Sequence, residues 1–296
     1  MRRRKLRLPV LTVRTLLLVC GALVVVCVGV GLAMRASLTD YAHDGAAVEQ
    51  LPFVVNSRAS TDALSLHTRE EIAAADEAAL PAEVDAAYTL GMASEEVLDE
   101  APVVLTGTFT GERTYVYQAF QCQIEVTSVL RGGGVSEGDG LVVYDAYKIT
   151  EPRNGLGTGQ FSDVREVWGG SVGPSRFGLM PLRAGQEYLF FLEPKRYPSE
   201  KDPATYEQTY CLIEHPYARI SLDLAEHPER VGVFELPADG EWQRIPFVEA
   251  CQYDLAATDE AAKELYLENC ARLLRRRPRG RRCHHRRPGP DGRVAK

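Results

Sequence analysis

Several short patterns in this chain have residue types that could do chemistry. Gly169-Gly-Ser171-Val-Gly173 fits the G-x-S-x-G spacing in which a strained turn presents a serine nucleophile. That turn requires a strand before it and a helix after it in an alternating β/α sheet. Here Pro174 follows at once, no β/α alternation surrounds the motif, and neither His215 nor His227 has a setting that marks it as a base. Gly132-Gly-Gly134 has the flexibility of a phosphate cradle but neither the following helix nor the Lys-Ser/Thr pair such cradles use, so it reads as a hairpin loop. Leu236-Pro-Ala-Asp-Gly240 comes near a cell-wall sorting signal, with Asp239 where threonine is required and no apolar span after it, so it reads as a turn. Cys283-His284-His285 sets three metal-binding side chains side by side in an arginine-rich tail, whereas structural metal sites separate their ligands so that they converge. No HExxH pattern is present. The sequence thus names no catalytic residue, no metal ligand and no cofactor.

The cysteines are more informative. Cys20 and Cys27 sit in an apolar run and read as small apolar side chains. Cys122, Cys211, Cys251 and Cys270 lie in the polar body, where four cysteines allow three connectivities. The expected pairs are Cys122–Cys211 within the body and Cys251–Cys270 pinning a terminal helix, with buried free thiols as the alternative. Cys283 is left over.

Charge and hydropathy divide the chain of 296 residues into three. Residues 1–35 carry seven basic residues and no acid, residues 36–271 a net charge of −24, and residues 272–296 a net charge of +10. Thr15 to Met34 is uncharged throughout, long enough at about 1.5 Å per residue to cross the hydrocarbon core of a bilayer. Six basic residues precede it, and Met34-Arg35 interrupts the small-x-small pattern of a cleavage site. The expectation is an uncleaved anchor, residues 15–34, with a cytoplasmic stub at 1–14 and the body on the far side of the membrane.

The elements that would position a site follow from periodicity. Residues 35–100 read as a tether and helical preamble, featureless to about residue 62. Thr68-x-x-Glu71 forms a capping box opening a helix that Pro81 stops, and a shorter helix covers 94–100. From Pro102 onward the pattern becomes strand-like. Phe120, Cys122, Ile124 and Val126 alternate with Gln121, Gln123, Glu125 and Thr127, the period of a strand with one buried face. Further strands are expected at 103–111, 141–147, 188–192 and 206–213, with Gly107 permitting a sharp bend in the first. A long connection containing Trp168 spans about 148–180. Residues 231–236 and 242–247 read as a hairpin, and Thr258 opens a last helix whose Ala262, Leu265, Tyr266, Leu273 and Leu274 form a docking stripe.

The strings APVVLTGTFTGERT, FQCQIEVTSVLRG, GDGLVVYDAY, LRAGQEYLFFLEP and TYEQTYCLIE, in that order, resemble an uncharacterised bacterial surface domain similar to netrin-like modules and tissue inhibitors of metalloproteinases. The resemblance covers residues 101–214 and implies an OB-like five-stranded barrel in a mainly β fold. It does not carry inhibition with it. Those inhibitors chelate zinc through a free N-terminal cysteine, a part that Cys122, in mid-strand, cannot play. Residues 215–276 are then a hairpin and C-terminal helix, and 277–296 a disordered basic tail. The expected role is a non-catalytic binding or envelope-assembly module, with Trp168 as a candidate ligand-loop residue. An envelope enzyme with a site invisible in sequence, or a subunit or sensor of a membrane complex, is the alternative. The tail points to an anionic envelope polymer or lipid and not to nucleic acid, given the expected location.

Overall fold

The computed structural model describes residues 13–36, 45–79, 93–116, 119–145, 147–150, 165–169, 177–195, 209–235 and 242–276. The first elements are α1 (Val13–Ala36), α2 (Gly45–Glu49), β1 (Pro52–Val54), α3 (Thr61–Leu64), β2 (Leu66–His67), α4 (Arg69–Ala79), β3 (Ala93–Ser94) and α5 (Glu95–Glu100). Then follow β4 (Val103–Val116), β5 (Ala119–Arg131), β6 (Gly140–Asp145), β7 (Tyr147–Thr150), β8 (Glu166–Gly169), β9 (Glu187–Pro194), β10 (Thr209–Leu212) and β11 (Arg219–Ser221). The last are β12 (Val231–Val233), β13 (Arg244–Pro246), α6 (Phe247–Ala250), β14 (Leu255–Ala257) and α7 (Glu260–Arg276).

The alternation at 120–127 is what closes the barrel. Phe120, Cys122, Ile124 and Val126 are all buried, while Glu125 between them is exposed. β5 pairs antiparallel with β4 on one side and β6 on the other; β6 pairs parallel with β10, β10 antiparallel with β9, and β9 antiparallel with β4. Five strands therefore return to the first with no free edge between them, the OB-like barrel the sequence predicts. Gly107 sits at a register shift in β4, and a Cβ there would lie 2.6 Å from Ile124 Cγ2 and 2.9 Å from the Glu125 carbonyl. Only glycine lets the two strands coil this tightly.

Three expectations need correction. Residues from 45 onward are no tether: Val48, Phe53, Val55, Ala59 and Leu64 are buried in the same core as the barrel. The hairpin at 231–247 does not form. β12 pairs instead with β14, in parallel, and β13 pairs with β1. The barrel unit also runs past residue 214, because β11 adds to β9 as an outer strand. The hairpin fails because each of its strands has a partner elsewhere in the chain, whereas β1 and β11, three residues each, are too short to show a period and are held by partners distant in sequence. A second sheet of order β13-β1-β8-β7 draws its strands from four separate regions.

The helices behave as their caps dictate. Thr68 and Glu71 form the reciprocal capping box, with Thr68 N donating to Glu71 Oε2 at 2.8 Å and Glu71 N to Thr68 Oγ1 at 3.2 Å. α7 is capped by Asp259, which accepts from Ala262 N at 2.8 Å, one residue later than the expected Thr258. Ala262, Tyr266, Asn269, Cys270 and Leu273 form its buried face, with Leu265 and Leu274 packed at the edge. α1 is different, because every one of its described side chains is exposed. Its segment Thr15–Met34 is long and apolar enough to cross a membrane.

His215 fastens the preamble to the barrel. Its Nε2 donates to the Ser94 carbonyl at 3.1 Å and its Nδ1 accepts from Tyr217 N at 3.1 Å, so both nitrogens are used by the neutral ring. Burial lowers its pKa from 6.5 to about 4, a shift the bond to Ser94 only partly offsets. The unfolded chain therefore binds a proton that the folded chain refuses between these values. His215 should contribute its full stability above pH 6.5 and lose about 3 kcal/mol of it as pH falls to 4. Urea midpoints of wild type and His215→Gln across that window measure the effect. The wild type should lose more stability on acidification than the variant, and parallel curves would contradict the assignment.

Candidate functional site

The barrel interior holds charge. Three register shifts in β4, the last between Phe109 and Arg113, break its alternation, and both of these residues end up beside the core. The Arg113 guanidinium lies 5.0 Å from the Phe109 ring, 5.2 Å from Phe247 and 5.9 Å from Phe120. It donates to the Leu182 carbonyl at 2.6 Å and lies near the thiols of Cys122 and Cys251. Leu182 N in turn donates to Asp145 Oδ2 at 3.3 Å, and the same oxygen accepts from Arg219 Nη1 at 3.4 Å. Asp145 and Arg219 are 3% exposed each, so water does not screen their attraction. Beyond them, Asp254 Oδ1 accepts from Ser221 Oγ at 3.0 Å.

Burial disfavours each charge in this cluster, and the neighbours decide the outcome. Arg219 is held above the ordinary arginine range, because Asp145, Tyr147, Tyr188 and Asp254 outweigh its desolvation. Burial raises Asp254 despite Arg219 nearby. Desolvation pushes the Cys122 thiol up to about 12, with Arg113 pulling weakly the other way, and Cys251 is raised for the same reason. These thiols are protonated and poor nucleophiles. The two described cavities lie elsewhere. One, about 100 Å³, is lined by Glu95, Leu98, Arg131 and Arg276; the other, about 240 Å³, by Leu224, Pro228, Leu267 and Leu274. Nothing in the charged cluster faces either, so its work is to hold elements together.

The expected disulfides do not form, and Cys122, Cys211, Cys251 and Cys270 are all free. Cys122 is in register with Val143 and Cys211 with Tyr144, adjacent residues of β6 that point to opposite faces. One thiol enters the barrel and the other leaves it, which no disulfide geometry can bridge. Cys251 lies near Arg113, whereas Cys270 lies near Tyr266 on α7. Ser171, the 236–240 turn, Cys283-His284-His285 and the basic tail lie outside the described residues, as does most of the long connection around Trp168. Among the described residues no group of three or more His, Cys, Asp or Glu side chains could hold a metal ion. The Gly132–Gly134 segment joins antiparallel β5 to β6, as a hairpin loop should.

Trp168 does sit in a distinctive place. In the second sheet, Ile149, Val167, Phe53 and Ile245 are matched across the strands and all are buried, forming the core face. The next row, Lys148, Trp168, Val54 and Arg244, takes the opposite face. Glu166, two residues before Trp168 and 3% exposed, accepts from Trp168 Nε1 at 3.0 Å and from Arg244 Nε at 2.5 Å. Arg244 Nη1 reaches the Trp242 carbonyl at 3.0 Å, and the Arg58 guanidinium lies 5.4 Å from the Trp242 ring. Both tryptophans of the chain, each half-buried, therefore belong to one outer face with three basic side chains. Trp168 is thus a strand residue of β8 and not the loop residue expected from sequence, which singled out neither Trp242 nor Arg58, Lys148 or Arg244. The signal for Lys148 was parity with Trp168, but it needed the β7–β8 register, which sequence does not supply.

No protein-family model matches the chain, and the comparison with curated proteins finds no relative.

The Asp145–Arg219 pair can be tested directly. Removing one partner leaves the other charged and buried, which costs about 3–5 kcal/mol. Asp145→Asn and Arg219→Met should each lower the unfolding free energy obtained from urea melts by that amount. The double variant should be markedly less destabilised than the sum of the two. Additive losses would show that the pair is not coupled.

Proposed function

We propose that this protein is a non-catalytic binding module held at a membrane by α1 and that its ligand rests on the outer face of the second sheet. The observation that carries the reading is that both tryptophans share this face with Arg58, Lys148 and Arg244, in a body whose net charge is otherwise strongly negative. A half-buried indole fixed by a buried carboxylate is a rigid platform that loses little entropy on binding. The thiols inside the barrel are packed and protonated, which supports binding over catalysis.

The placement is part of the proposal. α1 is exposed and apolar along its described length, and six basic residues precede its apolar segment, so the positive-inside bias puts the N-terminus in the cytoplasm and the barrel outside. The anchor stays uncleaved in this reading. The basic tail is a second contact, to an anionic polymer or lipid of the envelope, adding on the order of 1 kcal/mol per basic residue near an anionic surface. Arg272 and Arg276, just before it, are already paired with Glu95.

Protease added to intact spheroplasts should remove the barrel and leave a short membrane-bound stub; a mature protein free in the medium and starting after Met34 would contradict the anchor. For the face, full-length protein in detergent micelles is cosedimented with insoluble wall material from the source cells. Trp168→Ala/Trp242→Ala should weaken retention at least tenfold, compared at a temperature at which circular dichroism shows the variant fully folded. Undiminished retention would remove this face as the binding surface.

A further inference from the structure

The same outer face carries enough pattern to name a ligand class, an inference that rests on the reading above. Lys148, Trp168, Val54 and Arg244 form one line across four strands; Val54 is buried, so the accessible groups are the Lys148 cation and Trp168 indole at one end and the Arg244 cation at the other. Neighbouring strands are about 4.8 Å apart, so the line runs roughly 14 Å, within reach of an oligosaccharide of a few rings. Trp242, two residues before Arg244 and with the Arg58 guanidinium 5.4 Å from its ring, adjoins the Arg244 end. An indole offers an electron-rich face on which the C–H side of a sugar ring packs, and each is flanked by a cation able to pair with an acid group.

Two features narrow the charge. Glu166 already engages Trp168 and Arg244, which fixes both side chains and leaves the ring face and the remaining guanidinium donors to a ligand. Arg58 and Lys148 make no ion pair among the described residues. The face is thus locally positive on an acidic body, and it alternates ring platform with cation. We propose that it binds a carboxylated polysaccharide, in which every uronic-acid repeat supplies both a pyranose ring and a carboxylate. A glycerol-phosphate polymer has the charge without the ring, and a neutral glucan the ring without the charge. Single-stranded nucleic acid has both, but not on the outer side of a membrane.

Because the chain has only two tryptophans and both lie here, its indole emission reports on this face alone. Full-length protein in micelles is titrated with oligogalacturonate, a neutral glucan, poly(glycerol phosphate) and a single-stranded oligonucleotide. Saturable change with oligogalacturonate, at least tenfold tighter than with the other three, is expected. Arg58→Glu and Lys148→Glu, both away from the core, should each weaken it at least fivefold without changing the melting temperature, and salt should weaken it further. Equal binding of the glucan would overturn the carboxylate, equal binding of the phosphate polymer would overturn the sugar ring, and equal binding of the oligonucleotide would overturn the polysaccharide. No response to oligogalacturonate overturns the inference outright. If wall retention still depends on the two tryptophans in that case, the binding-module reading stands without it; if it does not, both fall.

Discussion

A single residue, Leu182, stands between the two buried charge systems of the barrel. Its carbonyl accepts from Arg113 and its N–H donates to Asp145, which in turn holds Arg219. The bonds converge on Asp145, which accepts from both Leu182 and Arg219, and together they join β4, β6, the segment entering β9, and β11. Taking either arginine out of water costs several kcal/mol, and only this arrangement returns it. Arg113 has no carboxylate within hydrogen-bond reach; three aromatic rings and a carbonyl stand in for one. The chain must therefore close the barrel and seat β11 together, since either alone leaves a charge unmatched. A core built this way is full, which is why ligand chemistry is found outside it.

The second sheet shows how a binding face arises as a by-product of closing the core. β1 and β13 are three residues each and could not hold as an isolated pair. They persist because Phe53 and Ile245 plug the core while Phe53 packs on the rings of Tyr147 and Phe247 at 5.4 and 6.2 Å. Once that row is fixed inward, the pleat forces Lys148, Trp168 and Arg244 outward, whatever their function. The buried Glu166 then becomes affordable only with both Trp168 and Arg244 bonded to it. Stability of the sheet and rigidity of the face are the same contacts seen from two sides.

How far the sequence discloses this depends on whether a partner is near in the chain. The β5 alternation, the Thr68–Glu71 capping box and the α7 stripe are local, and all three are where their residues say. Parity alone also places Asp145 inward, with Leu141 and Val143, although its charge argues against a core position. Arg113 is another matter, because the bulges of β4 reset the parity between Phe109 and Arg113. Pro52–Val54 has no period to detect, and its partners lie more than a hundred residues away at Val167 and Ile245. The hairpin at 231–247 failed for the same reason: two good strands adjacent in sequence each found a distant partner. The cysteine pairs failed on a finer point, since Cys122 and Cys211 are two strands apart on opposite faces of one barrel wall.

These distant pairings also shorten the leash. With the whole of 35–100 as preamble, the barrel would hang far from the bilayer. The structure instead begins to fold at Gly45, and Val48, just inside α2, is already in the core. Eight residues separate α1 from α2, and an extended chain of eight residues spans at most about 28 Å. If α1 stays in the membrane, the body is held against the surface that α1 leaves. Its net negative charge would be repelled by an anionic headgroup layer within a Debye length of about 8–10 Å. A basic tail and a locally positive tryptophan face are then the parts of the molecule able to meet such a surface or the polymers rooted in it. The acidic remainder favours orientations that turn them toward it.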